Sequence, residues 1–368
     1  MRITIARQDL LDAVNKVKTV VSPKSALPIL SHILMETGES QVRLTATDLK
    51  ISIECSVDCT VDEPGSLTVS SQRLSSILSE LPSGDLVLGL AESNVVTLKA
   101  GKTDTKLFSM SPEEFPPIRS FGNVEPIILD QVVLKKLFSN TSFAICSDQT
   151  RYNLTGLLFE IQGGALTVVA TDGRRMTLCS TTENIPEGLS MKVIIPGKMI
   201  SELERLFTGE GDVKLFFDET QAAFVFDSNR LVTALIEGTF PNYDMVIPKK
   251  HDKEAYISTS LFMEAIRRTR TMTNDKFNSV RFVFNDGQLT LRVVTPEVGE
   301  YTEDMSVEYP GDLLEIAFNP DFILDALRHI DTEKTCLVLK DGMSPGLLKP
   351  FKDKPLDNYL NIVMPIRI

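Results

Sequence analysis

"LPILSHILMETGESQVRLTATD", residues 27–48, lies over "RYNLTGLLFEIQGGALTVVATD", residues 151–172, once Met35-Glu36 is set against Phe159-Glu160. Each reads as an apolar strand, a polar turn containing glycine, and a second strand closing on Ala-Thr-Asp. A third, weaker copy is "FNSVRFVFNDGQLTLRVVT", residues 277–295, with Asp286-Gly287 as a two-residue hairpin turn. The copies recur about every 123 residues, one third of the 368-residue chain.

The elements around each hairpin repeat as well. An amphipathic helix precedes it in "RQDLLDAVNKVKTVV" (7–21), "LDQVVLKKLFSNTSF" (129–143) and "STSLFMEAIRRTRTM" (258–272). A second helix follows it in "SSQRLSSILSELPSGD" (70–85), "PGKMISELERLFTGEGD" (196–212) and "NPDFILDALRHIDTEK" (319–334). Each second helix opens on Ser, Pro or Asn-Pro and runs into a new strand, "LVLGL", "VKLFF" or "CLVLK". The first two units end in similar turns, "EEFPPI" and "GTFPNY". Chance explains one such pair, but not four elements in one order three times. The sequence predicts an α+β chain of three repeated domains, 1–123, 124–250 and 251–368.

Bulk properties exclude several classes. No stretch approaches the roughly 18 consecutive apolar residues of a membrane span, and "MRITIARQDL" lacks the pattern of a secretion signal. The five cysteines form no metal or redox spacing. Cys55 and Cys59 share one strand face with Ile51, Ile53 and Val57 and are expected in the core. A reducing, cytoplasmic compartment fits this usage. The net charge of −12 argues against generic coating of nucleic acid, without excluding a local basic surface.

Catalytic signatures are missing: no GxGxxG after a strand, no GxxxxGK[ST], no HExxH and no GxSxG. His32, His251 and His329 fall one to a repeat. In "TDGRR" (171–175), Asp172 with Arg174 and Arg175 can be imagined as a general base flanked by cations. An Asp-Gly turn at a strand end is the simpler reading. The sequence is therefore read as a non-enzyme with no cofactor and no metal.

"RYNLTGLLFE", "VVATDGRRM", "FPNYDMVIP", "NDKFNSVRF" and the terminal "IVMPIRI" resemble the β sliding clamps, the processivity subunits of the bacterial replicative DNA polymerase. The resemblance covers the whole chain and runs in register with the triplication. It implies a DNA clamp fold in which a head-to-tail homodimer closes a six-domain ring around double-stranded DNA. Helices line the hole and antiparallel sheets lie outside. The implied partners are polymerase subunits, clamp loader, ligase and mismatch-repair proteins, docked through short linear peptides.

Simple geometry agrees with the domain count. A compact domain of this size is roughly 35 Å across, so three in a ring leave a hole of only about 5 Å. Six leave about 35 Å, enough for a duplex roughly 20 Å wide with its water, and closed cyclic symmetry supplies six from two chains. The six helix windows together carry about +3 by residue count in a chain of net −12. A mildly basic lining would hold phosphates without reading bases.

By resemblance, DNA contacts fall on Lys24, Arg73, Gln149, Arg151, Tyr152 and Asn153. Charge and helix position add Lys198 and the Arg267, Arg268, Arg270 cluster. The resemblance also implies a peptide-binding pocket between the second and third domains, at Leu154, Thr171, Gly173, Arg174, Arg175, Met176, Pro241, Met245, Val246, Phe322, Ile362, Val363, Met364, Pro365, Ile366 and Arg367. Met176, Val246, Ile362 and Met364 would receive a partner's Leu or Phe anchors, and methionine adapts to varied ligands. Arg174, Met245 and Phe322 stand where the family usually has histidine, a basic residue and tyrosine, and Asn153 where a second aromatic is common. Acidic or more apolar peptides are therefore the expected preference. "YLNIVMPIRI" (359–368) is read as an edge strand forming one pocket wall, with Pro365 limiting stray pairing. The rival reading is a three-repeat scaffold that binds no DNA.

Overall fold

The computed structural model describes residues 1–21, 26–91, 94–118, 120–122, 124–247, 253–351 and 359–367. All six expected helices form: α1 (Arg7–Val17), α2 (Ser71–Glu80), α3 (Gln131–Ser139), α4 (Gly197–Leu206), α5 (Thr259–Arg270) and α6 (Pro320–Arg328). α1 buries Leu10, Ala13, Val14 and Val17, the i, i+3, i+4, i+7 stripe of an amphipathic helix. Each fully buried Leu or Val in it contributes about 1.5–3 kcal/mol. α6 starts where Asn319 Oδ1 accepts from the Asp321 amide (2.8 Å) and Pro320 takes the first helical position. Among the described residues, no helix is long and apolar enough to cross a membrane.

The chain divides into two compact units, Met1–Val132 with Ser201–Leu235, and Val133–Ile200 with Ile236–Ile368. The first unit holds a five-stranded sheet, in the order Thr60–Glu63, Arg2–Ala6, Asp85–Ala91, Val95–Ala100, Thr103–Phe108. Its second sheet has eight strands: Ile127–Asp130, Asp212–Phe217, Gln221–Phe226, Asn229–Ala234, Ile51–Asp58, Gln41–Thr47, His32–Thr37 and Ser66–Ser70. Its seam is the antiparallel pairing of Asn229–Ala234 with Ile51–Asp58, crossed by an Arg230–Glu54 ion pair at 2.6 Å.

The second unit repeats that plan. Its eight-stranded sheet runs Met191–Pro196, Gly156–Gln162, Ala165–Thr171, Arg175–Thr181, Tyr359–Val363, Gly346–Pro350, Lys334–Leu339, Lys253–Ser258. A four-stranded sheet follows, Gly299–Ser306, Gln288–Thr295, Val280–Asn285, Leu314–Phe318. The seam here pairs Arg175–Thr181 with Tyr359–Val363, from Arg175↔Val363 to Cys179↔Tyr359. The expected hairpins are present. Asp286 and Gly287 both have positive φ (37° and 78°), as do Gly163 and Gly164 (58° and 72°), the backbone of a tight two-residue turn. The fold is α+β with repeated domains.

Two sequence expectations are corrected. The terminal strand is not an edge: Tyr359–Val363 is hydrogen-bonded on both sides, to Arg175–Thr181 and to Gly346–Pro350. Pro365 therefore guards no free edge. It lies beyond the strand, where its missing N–H costs the ladder nothing. Cys59 is not a core residue; the strand ends at Asp58, so Cys55 is buried while Cys59 is only half-buried.

Candidate functional site

The turn Asp172–Arg175 organises the site. Asp172 Oδ1 accepts from the amides of Arg174 (2.9 Å) and Arg175 (3.0 Å), and Thr171 Oγ1 donates to the Arg175 carbonyl (2.6 Å). Gly173 sits at φ +83°, and a Cβ there would come 2.8 Å from Arg151 Nη1, which donates to the Asp172 carbonyl at 3.0 Å. Only glycine meets both demands without displacement.

All three guanidinium nitrogens of Arg175 are hydrogen-bonded. Its Nε donates to Asp172 Oδ2 (3.1 Å), its Nη1 to Asp325 Oδ2 (2.6 Å) and its Nη2 to the Phe143 carbonyl (2.7 Å). Its guanidinium also lies 4.6 Å from the Phe322 ring centroid and 5.5 Å from that of Phe143. Phe143 stacks on His329 at 4.8 Å, and burial holds the His329 imidazole below its usual pKa. These bonds fasten α6 to the hairpin. They also occupy the Asp172 carboxylate and the Arg175 guanidinium that the catalytic reading required, and Arg174 is exposed.

Beside the turn lies an apolar cavity of about 190 Å³, lined by Leu154, Thr171, Gly173, Arg175, Met176, Phe240, Pro241, Asn242, Tyr243, Val246, Ile362 and Met364. A dry cavity of about 150 Å³ accepts a benzene ring, so this one has room for one or two apolar side chains. Leu154, Met176 and Ile362 form its floor with 7%, 4% and 1% exposure, while Met364 and Val246 stand at the mouth with 41% and 38%. Nine of the sequence-expected pocket residues meet in this wall.

The other expected residues sit elsewhere. Val363 is buried on the sheet face opposite Ile362, as strand alternation requires. Phe322 stacks on Arg175, and Met245 is 81% exposed. Arg174 and the tail are joined through backbone: the Met364 amide donates to the Arg174 carbonyl (2.9 Å) and the Ile366 amide to that of Ala317 (2.8 Å). Pro365 is half-buried and Arg367 exposed. Sequence reasoning missed Phe240, Asn242 and Tyr243. They lie outside any strand or α-helix and show no periodicity, although both the recurrent Phe-Pro turn and "FPNYDMVIP" run through them.

The DNA-contact candidates separate into three kinds. Arg73 on α2, Lys198 on α4, and Gln149 and Tyr152 are exposed. Arg151 and Asn153 are exposed or half-buried but already bonded, Asn153 Nδ2 to the Thr239 carbonyl at 2.9 Å. On α5, Arg267 is exposed with Met263 Sδ beside it (3.1 Å), whereas Arg268 pairs with Glu303 (2.6 Å) and Arg270 with Asp321. Those carboxylates offset two of the three charges counted from sequence. Lys24 lies outside the described residues. Among the described residues, no group of His, Cys, Asp and Glu is arranged to hold a metal.

Comparison with known proteins covers the chain from end to end. Family models match in three consecutive segments: DNA polymerase III beta subunit N-terminal domain at 1–119, central domain at 128–242 and C-terminal domain at 244–367. A beta sliding clamp of Chlamydia muridarum is 33% identical over 368 residues, covering all of this chain and 99% of the relative. A crystal structure of a DNA polymerase III subunit beta from Pseudomonas aeruginosa bound to griselimycin has TM-score 0.95 and 33% identity, with both chains fully covered. The Bacillus subtilis DNA polymerase sliding clamp aligns with TM-score 0.96 at 26% identity, covering 100% of this chain and 99% of that one.

Proposed function

The chain belongs to the bacterial β sliding clamps, the DNA polymerase III beta subunits, and from that premise we propose how it works: two copies close head to tail into a ring around duplex DNA. The ring tethers a polymerase that would otherwise diffuse from its template, raising effective concentration by topology and not by affinity. It is not an enzyme. Partners, among them polymerase subunits, clamp loader, ligase and mismatch-repair proteins, insert apolar anchors of short peptides into the cavity beside Gly173. Arg73, Lys198 and Arg267, with Lys24 and the Gln149–Asn153 loop, provide loose phosphate contacts that let the ring slide.

One observation carries this reading: the pattern of sheet seams. In each repeat the third strand after the second helix is Thr103–Phe108, Asn229–Ala234 or Tyr359–Val363. The third strand of each hairpin set is Ile51–Asp58, Arg175–Thr181 or Gly299–Ser306. Asn229–Ala234 pairs with Ile51–Asp58, and Tyr359–Val363 with Arg175–Thr181. The equivalent remaining join is Thr103–Phe108 with Gly299–Ser306, and each of these is an edge strand of a smaller sheet. Phe108, 87% exposed, stands on the first, and Glu300, Glu303 and Asp304 mark the second. A second copy completes both joins and closes a ring with one repeated interface.

The test is topological. The protein is loaded on nicked circular DNA, which is then linearised. A clamp stays on the circle and runs off the linear form; a scaffold or an enzyme shows no dependence on DNA ends.

A further inference from the structure

Phe240, Pro241, Asn242, Tyr243 and Val246 form one side of the cavity wall, yet their segment belongs to no strand or α-helix, only to a 3₁₀ turn at Tyr243–Met245. What positions this segment? Phe240 is buried in the core beneath the cavity, and the Val246 amide donates to the Tyr243 carbonyl (3.0 Å). The one long-range side-chain bond that the segment itself makes among the described residues is Tyr243 Oη donating to Glu160 Oε2, at 2.6 Å. Glu160 is 8% exposed, on the strand Gly156–Gln162, and its other oxygen is bonded by Lys192 Nζ at 2.7 Å. A buried carboxylate needs partners on both oxygens, and here one partner comes from the surface and one from the pocket wall.

We propose that Glu160 is a positioning residue for peptide binding, latching the pocket's outer wall through the Tyr243 hydroxyl so that the cavity is preformed before an anchor arrives. The inference rests on the peptide-pocket reading above. Without the latch the Phe240–Val246 segment keeps its contacts but samples more backbone states, and a peptide must order it on binding. The fold itself survives in Tyr243→Phe, because Glu160 retains Lys192 and the ring keeps its packing.

The test measures binding of a labelled six-residue peptide carrying one leucine and one phenylalanine. Tyr243→Phe and Glu160→Ala are each expected to weaken it about tenfold, and the double variant no further, since each removes the same Tyr243–Glu160 bond and the Lys192 pair lies outside the cavity wall. Glu160→Gln, which still accepts from the phenol, is expected to recover most of the affinity. Hydrogen exchange should quicken at residues 239–247 and stay unchanged in the strand Arg175–Thr181. Equal binding by wild type and Tyr243→Phe overturns the latch alone, as do additive losses in the double variant. Failure of the wild-type chain to bind removes the pocket reading and the latch together.

Discussion

The turns Asp48–Ile51 and Asp172–Arg175 are built to one plan. In the first, Asp48 Oδ1 accepts from the amides of Lys50 (3.0 Å) and Ile51 (2.7 Å), and Thr47 Oγ1 donates to the Ile51 carbonyl (3.0 Å). The second makes the same bonds with Asp172, Arg174, Arg175 and Thr171. Even the left-handed residue is shared, Leu49 at φ 73° and Gly173 at φ 83°. Two positions differ in consequence. Leu49 projects a side chain that is 58% exposed, where Gly173 leaves room for Arg151 and a cavity. Ile51 is buried in its sheet, where Arg175 reaches α6. Identical local structure leaves a cavity only where the side chains step aside.

The largest effect expected from breaking this difference is at Arg175. Arg175→Ala leaves Asp325, Asp172 and the Phe143 carbonyl without their shared donor in a largely buried setting. It should destabilise the second unit by about 3 kcal/mol, read as a lowered denaturant midpoint. Arg175→Lys should recover only part of that, since an ammonium cannot span three acceptors set around a planar fork.

Next is an exchange at the left-handed position. Gly173→Leu copies the first repeat, and should cost about 1–2 kcal/mol from the strained φ while closing the cavity. Peptide binding is expected to disappear in fluorescence titration although the chain stays folded. The reciprocal Leu49→Gly should change stability by about 1 kcal/mol or less, because relief of strain is set against a more flexible unfolded chain.

The smallest effect is acid sensitivity. Burial lowers the His329 pKa in the folded state, so below the unfolded value of about 6.5 the unfolded chain takes up the proton first. That contribution to stability is present above pH about 6.5 and is lost as pH falls toward the folded pKa. Denaturant midpoints at neutral and mildly acid pH should therefore diverge less in His329→Phe, which keeps the stack on Phe143. His32, also lowered by burial, should give the same sign in the first unit.

Hairpins and helices were legible in the sequence because their signals are local: period-two and period-3.6 patterns, an Asn-Pro helix start, an Asp-Gly turn. The seams were not. Whether Tyr359–Val363 is an edge depends on partners far away in sequence, and a short apolar run looks the same with one neighbour or two. The offset charges on α5 failed for the same reason, since Glu303 and Asp321 reach Arg268 and Arg270 from distant elements. Leu154, Met176 and Ile362 of the cavity floor could be grouped from the sequence because "RYNLTGLLFE", "VVATDGRRM" and the terminal segment are compact motifs. Phe240 and Tyr243 also lie in a motif, "FPNYDMVIP", but outside any strand or α-helix, so no periodicity showed which of its side chains face the cavity.

The central claim is that one of two equivalent turns has been opened into a peptide pocket. Photo-crosslinking a peptide with a reactive phenylalanine anchor, followed by mass spectrometry of the adducts, tests it most directly. Adducts confined to residues 154, 171–176, 240–246 and 362–364, and absent from 47–51, are the predicted result. Adducts at the Leu49 turn, or spread evenly over the chain, would contradict it.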